Sequence, residues 1–441
     1  MKRYGLLIVL VALTACQDTT EPTLRTAPRA ALDVTDGSIP GHYIVVVNWD
    51  TDAAALAALY GIQPRHVYEH LLNGFAAAIS AEVVELLAAD PRVLRVSVQR
   101  QLSKVATTVT AAASWGLDRV DQRLRPLDGL YSYDFDAEKV RAYVIDTGVR
   151  WGHVEFEGRA SPGFDAYAND PTDPLLGYDG TGDCDGHGTH VAGTIGGKTY
   201  GIAKQVRIVS VRVLNCAGYG SDADVIAGMD WVAEHGVLPA VANMSLGDVV
   251  PSKTLGTSTE IDDAVKALVA SGVSLSVAAG NGWGLGAAPG SDACMFPIAN
   301  VPEAITVAAS QSNDSQTAWT SYGACVDIYA PGSGILSSYA TSDHATSSLS
   351  GTSMATPHVA GVAALVLAQA PGATPAEVRD VIVNGATKGV LTKNASNYTA
   401  AMDGSPLLLL YSRVKVPSYL KGKHGSSLPC TPKRQREGQC S

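Results

Sequence analysis

Little of this sequence is charged. Asp, Glu, Lys and Arg make up 17% of its 441 residues, and 46% are apolar, whereas soluble domains average about 25% charged. That balance excludes bulk disorder, which needs low hydrophobicity and high charge. There is no basic excess: the formal net charge is −10, which argues against a nucleic-acid partner. No apolar run reaches the ~20 residues needed to cross a bilayer; the best candidates are residues 6–13 and 359–368. Neither Cys-x-x-Cys nor His-Glu-x-x-His occurs, so structural-zinc and zinc-peptidase readings have no support. Asp-Thr-Gly occurs once, at Asp146-Thr147-Gly148, while aspartic peptidases need two carboxylates sharing a proton.

What is present is length, small residues and an export-type start. At ~150 residues per domain the chain holds two or three domains. Glycine, 44 of 441 residues, exceeds the ~7% average and implies many turns and close backbone approaches. Residues 1–16 join a basic Met1-Lys2-Arg3, the apolar run and small residues, as a secretory signal does. The ending Leu13-Thr14-Ala15-Cys16 resembles a bacterial lipobox, whose cysteine is lipidated; an ordinary signal peptide with a chance cysteine is the alternative. The other cysteines are Cys184, Cys216, Cys294, Cys325, Cys430 and Cys440, an even set able to form disulfides in an oxidising compartment.

Along the chain, residues 17–37 lack apolar periodicity and read as a linker. Residues 38–100 give strands at 43–47, 75–79 and 93–98 with helices at 52–60 and 81–89, a small ferredoxin-like α+β domain. Residues 101–114 are polar and small, an exposed connector of the kind proteases cut. From residue 115 to 412 short apolar strands (140–145, 206–213, 240–244, 273–278, 305–308, 326–329) alternate with helices such as 223–234 and 260–270, so this domain is α/β with a mostly parallel central sheet flanked by helices. Residues 413–441 are basic and read as an irregular tail.

Three segments carry chemistry. Val144-Ile145-Asp146-Thr147-Gly148 is an apolar strand ending in a carboxylate; alone, Asp146 could simply cap a turn. Asp185-Gly186-His187-Gly188-Thr189-His190 leads into a helix of small residues, where two histidines could alternatively hold a metal. Ser350-Gly351-Thr352-Ser353-Met354-Ala355-Thr356-Pro357-His358 places Ser353 at a helix start with Pro357 in its first turn. A serine there could be an ordinary cap, but it also meets the positive end of the helix dipole. A serine hydroxyl becomes a nucleophile when a histidine takes its proton and a carboxylate orients that histidine. The order Asp146, His187, Ser353 is that of subtilisin rather than of α/β-hydrolases or chymotrypsin-like enzymes.

These motifs, with Trp115-Gly116-Leu117-Asp118-Arg119, Asn243-Met244-Ser245-Leu246-Gly247 and Ala278-Ala279-Gly280-Asn281, resemble the subtilisin-like serine peptidases of the proteinase K and aqualysin branch across nearly all of 115–412. Residues 40–100 are similar to that family's inhibitory propeptide. The resemblance implies a secreted, bacterial, self-processing serine endopeptidase acting on polypeptides. Its mature form would be monomeric, with the propeptide as intramolecular inhibitor and folding aid. It implies Asp146, His187 and Ser353 as the triad and Asn281 as donor to the oxyanion. Ser245, Leu246 and Gly247 with Ala278, Ala279 and Gly280 would wall the first specificity pocket, open to a bulky apolar or aromatic side chain. Gly218, Tyr219 and Gly220 would pair with extended substrate, while Asp222 stands where the family has an aromatic.

The same resemblance implies disulfides Cys184–Cys216 and Cys294–Cys325, leaving Cys430 and Cys440 to each other. It implies structural calcium, one ion at Asp327 with the Pro302 and Ala304 carbonyls and another at Asp118, Asp121 and Gln122. The acidic residues 170–183 are a third, weaker candidate, and Val390 replaces a carboxylate used by proteinase K. A lipid on Cys16 would tether the precursor transiently to a membrane. Two other readings compete: an inactive binding protein of the same fold, and a nucleotide site at Gly280-Asn281-Gly282-Trp283-Gly284, for which no acidic partner follows.

Overall fold

The computed structural model describes residues 38–104, 107–108, 114–168, 182–248, 259–282, 290–393 and 404–421. Cys16, the linker, most of the acidic 170–183 loop, Cys430 and Cys440 lie outside them.

The first unit runs β1 (Ser38–Val47), α1 (Ala53–Leu59), β2 (His66–Tyr68), β3 (Gly74–Ala78), α2 (Ala81–Ala89) and β4 (Val93–Lys104). Its strands pair in the order β4-β1-β3-β2, the arrangement of a split βαβ. Alternation buries Tyr43, Val45 and Val47 of β1 against Phe75, Ala77 and Leu87. The sequence does not announce β2, because three residues carry no legible period. A larger difference concerns the connector. Residues 101–104 are the last four residues of β4, and residues 107–108 form a short β5 (Thr107–Thr108).

The second unit begins with α3 (Trp115–Val120), β6 (Arg141–Asp146), β7 (Ala160–Asp165), α4 (His187–Gly196), β8 (Arg207–Arg212), β9 (Tyr219–Ser221) and α5 (Asp222–His235). It continues through β10 (Ala240–Met244), β11 (Leu246–Asp248), α6 (Glu260–Ala270), β12 (Ser274–Ala278), β13 (Ile305–Ser310), β14 (Ile328–Pro331), β15 (Ile335–Ser338) and β16 (Thr346–Ser350). It closes with α7 (Thr352–Gln369), α8 (Pro375–Gly385), β17 (Thr387–Lys388), β18 (Leu408–Leu409) and α9 (Ser418–Lys421). A nine-stranded sheet has the order β17-β18-β14-β13-β12-β10-β6-β8-β7; all its pairings are parallel except β17 with β18. Its central strands are buried on both faces, which is why they read as apolar runs rather than alternation.

Helix α7 is buried from Thr352 to Leu367, so it has no polar face and passes through the core. Pro357 is its sixth residue, not part of the first turn. The ring removes the N–H that would bond the Ser353 carbonyl, and the Ser245 hydroxyl donates to that carbonyl instead, at 2.9 Å. The tail boundary also moves. Val414, Val416 and Leu420 are buried in the main core, and the Ser412 N–H donates to the Val120 carbonyl, so packing continues past residue 412 to 421. Basic neighbours mask these apolar residues in the sequence.

Candidate active site

Parallel strand β6 delivers Asp146 at its C-terminal end, where the sheet leaves a crevice. Asp146 is fully buried, and its Oδ1 accepts from the Thr147 N–H at 2.7 Å and pairs with His187 Nδ1 at 2.7 Å. That close approach depends on two glycines. A Cβ on Gly188 would lie 2.0 Å from the Gly148 carbonyl oxygen, and one on Gly148 would lie 1.8 Å from the Gly182 carbonyl oxygen. His187 opens α4 and its Nε2 is buried without a hydrogen bond among the described residues. Ser353, the second residue of α7, donates its hydroxyl to the Ser245 carbonyl at 3.0 Å.

Asn281 follows β12, and its Oδ1 accepts from both the N–H and the hydroxyl of Thr352, each at 3.0 Å. Holding the oxygen in this way leaves the amide nitrogen as the donor end. His190 is not a metal partner for His187: its Nε2 is bonded to the Ile335 and Ser347 carbonyls, and burial pushes it down to about 3. A neutral core histidine is the result.

Strand β4 ends between two peptidase strands. Gln101, Leu102 and Ser103 pair antiparallel with Ser221, Gly220 and Tyr219 of β9, while Leu102, Ser103 and Lys104 pair antiparallel with Asp248, Gly247 and Leu246 of β11. Three residues on, Thr107 and Thr108 pair with Ser350 and Leu349, immediately before Gly351 and α7. The connector is therefore anchored on either side of the serine-bearing loop, held by main-chain bonds that any sequence can make. Gly218 lies in the turn before β9 and does not join the pairing. Ala278 and Ala279 are buried at the end of β12 and Gly280 follows them in a left-handed conformation (φ +101°).

The rest of the first unit docks on α5 and α6 through ion pairs and hydrogen bonds to their carboxylates. His66 Nε2 and Arg65 Nη2 meet Asp224 Oδ1 at 2.9 and 3.0 Å, and His70 Nε2 meets Glu234 at 2.9 Å. Asp230 accepts the N–H groups of His70 and Leu71 at 2.8 Å each. Arg95 pairs with Glu260 and Asp263. Asp222, in the place of the family's aromatic, is 3% exposed and lies beside Arg100 and Glu260; burial pushes it up to about 8.

The sequence offered Asp183 only as the end of an acidic calcium candidate, not as a support of the Asp146–His187 pair. Asp183 is 2% exposed and accepts hydrogen bonds from five donors on both sides of the Asp146–His187 pair. Its donors are mostly backbone N–H groups, which leave no residue pattern to read; the one signal was an acid four residues before His187.

The two disulfides form, with Cα separations of 5.0 Å for Cys184–Cys216 and 5.2 Å for Cys294–Cys325. The calcium sets differ in fit. Each oxygen of Asp327, the predicted partner of the Pro302 and Ala304 carbonyls, accepts one hydrogen bond, one from Arg379 and one from the Thr306 N–H. Asp118 accepts from the Asp128 and Gly129 N–H groups. Asp121 keeps one buried oxygen without a hydrogen bond and is pushed up by burial and by Asp128 and Asp118. That unsatisfied oxygen fits a cation. Gln122 turns its amide nitrogen to the Leu124 and Pro126 carbonyls. Val390 packs with Leu391 and Leu409 in an apolar patch. Among the described residues no three His, Cys, Asp or Glu side chains converge on a metal position, and no helix is long and apolar enough to cross a membrane.

Comparison with known proteins identifies the family. The profile of the subtilase family, peptidase S8, matches residues 139–403, and that of peptidase inhibitor I9 matches residues 43–103. An extracellular serine proteinase of a Thermus species is 42% identical over 441 residues, covering 93% of this chain and all of the relative. Alkaline serine exoprotease A of Vibrio alginolyticus is 45% identical over 362 residues, covering 81% of this chain and 62% of that protein. The crystal structure of a cold-adapted subtilisin-like serine proteinase superposes with a TM-score of 0.59 at 45% identity, over 69% of this chain and all of the other. With catalytic domain and inhibitor both matched, the chain belongs to the subtilase family of serine endopeptidases and carries its own I9 propeptide.

Proposed function

We propose that this chain is the precursor of an exported endopeptidase that cuts itself within residues 104–107 and then cleaves other proteins. The observation that carries the reading is the path of β4 and β5. The chain is held as an extended strand on one side of the Ser353 loop through Lys104 and on the other from Thr107, so the scissile bond is one of the three peptide bonds between those residues. Domains divide there, as propeptide before and peptidase after.

In the mechanism, Ser353 Oγ attacks the substrate carbonyl while His187 Nε2 takes its proton, and Asp146 fixes the imidazole tautomer through Nδ1 and stabilises its charge. The hydroxyl, which donates to the Ser245 carbonyl, must turn to His187 for this step. Asn281 and the Ser353 N–H stabilise the oxyanion. Losing such an asparagine costs about 10²–10³ in turnover, a magnitude that belongs to subtilisin itself. As the tetrahedral intermediate collapses, the C–N bond breaks and His187 gives its proton to the departing amine, leaving an acyl-enzyme; water, giving a proton to His187, then hydrolyses the ester to release the acid and return the proton to Ser353. Small Ala278, Ala279 and Gly280 leave room for a bulky apolar P1 side chain, and pairing to β9 and β11 makes recognition broad. Calcium would sit at Asp118 and Asp121 with backbone oxygens, a structural role that supplies charge neutralisation. A lipid on Cys16 would leave with the propeptide, so maturation would free the peptidase from the membrane.

Ser353→Ala should accumulate full-length precursor, and N-terminal sequencing of the wild-type product should read Val105, Ala106 or Thr107. Normal maturation of the variant, or a first residue outside that set, would overturn the reading. The inactive-binder alternative predicts no labelling of Ser353 by a fluorophosphonate.

A further inference from the structure

The Asp146–His187 pair spans two chain segments, the end of β6 and the start of α4, with nothing covalent between them at the contact. Asp183 lies between. Its Oδ1 accepts from the Thr147 hydroxyl at 3.0 Å and from the Asp185 and Gly186 N–H groups at 3.1 and 2.9 Å; its Oδ2 accepts from the Thr189 N–H at 2.9 Å and hydroxyl at 2.6 Å. Thr147 follows Asp146, while Gly186 and Thr189 flank His187. The Thr147 oxygen in turn accepts the Gly188 N–H at 2.9 Å, and the Thr189 oxygen accepts the Arg150 N–H at 2.9 Å. Residues beside both members of the pair are thus wired to one buried carboxylate.

We infer that Asp183 is the positioning residue of the catalytic pair, holding the imidazole of His187 against Asp146 by bonding the backbone and hydroxyls beside both. It touches no substrate. A carboxylate suits the task because it offers only acceptors, with several lone-pair sites for these donors, and charge-assisted bonds are about twice as strong as neutral ones. A misplacement of the base by ~1 Å can cost on the order of 100-fold in rate. The inference rests on the triad reading given under the proposed function.

The test uses processed enzyme from wild type, Asp183→Asn and Asp183→Ala, assayed on a short peptide substrate, with thermal unfolding measured alongside. Asp183→Asn keeps one acceptor oxygen and should lower kcat at least about tenfold with KM within about twofold, and should shift the acid limb of the kcat profile. Asp183→Ala should lower kcat further. Unchanged kcat and acid limb in Asp183→Asn, whatever its melting temperature, would reduce Asp183 to a structural cap and overturn the proposal. If the variants do not mature unaided, wild-type peptidase supplied in trans performs the cut, and active-site titration confines kcat to the variant. Unimpaired maturation of Ser353→Ala would instead sink the triad reading.

Discussion

Ser245 and Pro357 are linked by one carbonyl. The oxygen of Ser353 loses its helical donor because Pro357 has no N–H, and the Ser245 hydroxyl replaces it while accepting from Asn243 Nδ2 at 2.9 Å. All three groups are buried. Ser245→Ala therefore removes one hydrogen bond from a buried carbonyl and one from a buried amide, at about 1–3 kcal/mol for such a loss. Pro357→Ala restores a backbone N–H to the same carbonyl. In the Ser353→Ala background, which prevents self-digestion, Ser245→Ala should destabilise by about 2 kcal/mol in urea titration. Adding Pro357→Ala should recover about 1 kcal/mol, and strictly additive losses would contradict the shared acceptor. The three residues proposed as the triad were read from the sequence because a nucleophile, a base and a carboxylate in this order are a rare conjunction. Asp183 and Ser245 were not read as supports, because each works through backbone groups that every residue possesses.

Among the elements, the Cys184–Cys216 bridge ties the turn before α4 to the segment before β9, across 32 residues of sequence. Loop-closure entropy for a bridge of that span is about 3–4 kcal/mol. Replacing both cysteines by alanine should lower unfolding free energy by about 3 kcal/mol in the Ser353→Ala precursor; a loss below about 1 kcal/mol would show that the His187 turn is held by its hydrogen bonds alone. Strand β10 and helices α2 and α6 have the ends their sequences predicted. Strand β4 outruns its predicted end, reaching 104 rather than 98. Residues 101–104 are mostly polar because their pairing is with main chain in a cleft, so no apolar pattern records it. The same holds for the last packed residues, where Val414, Val416 and Leu420 are too sparse among lysines and prolines to announce a core.

At the scale of the whole molecule the propeptide interface sets a pH dependence. Asp222 is pushed up from 3.8 to about 8 in the precursor by burial first, against the opposing effects of the Arg100 N–H and charge, with Glu260 adding to the rise. A group whose bound-state value is raised stabilises the complex fully at low pH and loses that contribution as pH rises through the raised value. The cut propeptide should therefore leave more slowly at about pH 6 than at about pH 9, by about tenfold or more, read as the lag before activity appears. Asp222→Asn should flatten much of that difference. A lag that lengthens with rising pH would contradict the sign.

Because β4 runs from the inhibitor's sheet into the cleft and the chain resumes as β5 beyond it, one hydrolysis event changes the molecularity of inhibition. Before the cut, the blocking segment is present at the high effective concentration of a tethered group; afterwards it competes as a free molecule at bulk concentration. The proposed self-cleavage would arm the enzyme without discharging it. The second step is governed by volume: confined near its source the enzyme stays occupied, and spreading into surrounding fluid is what empties the cleft.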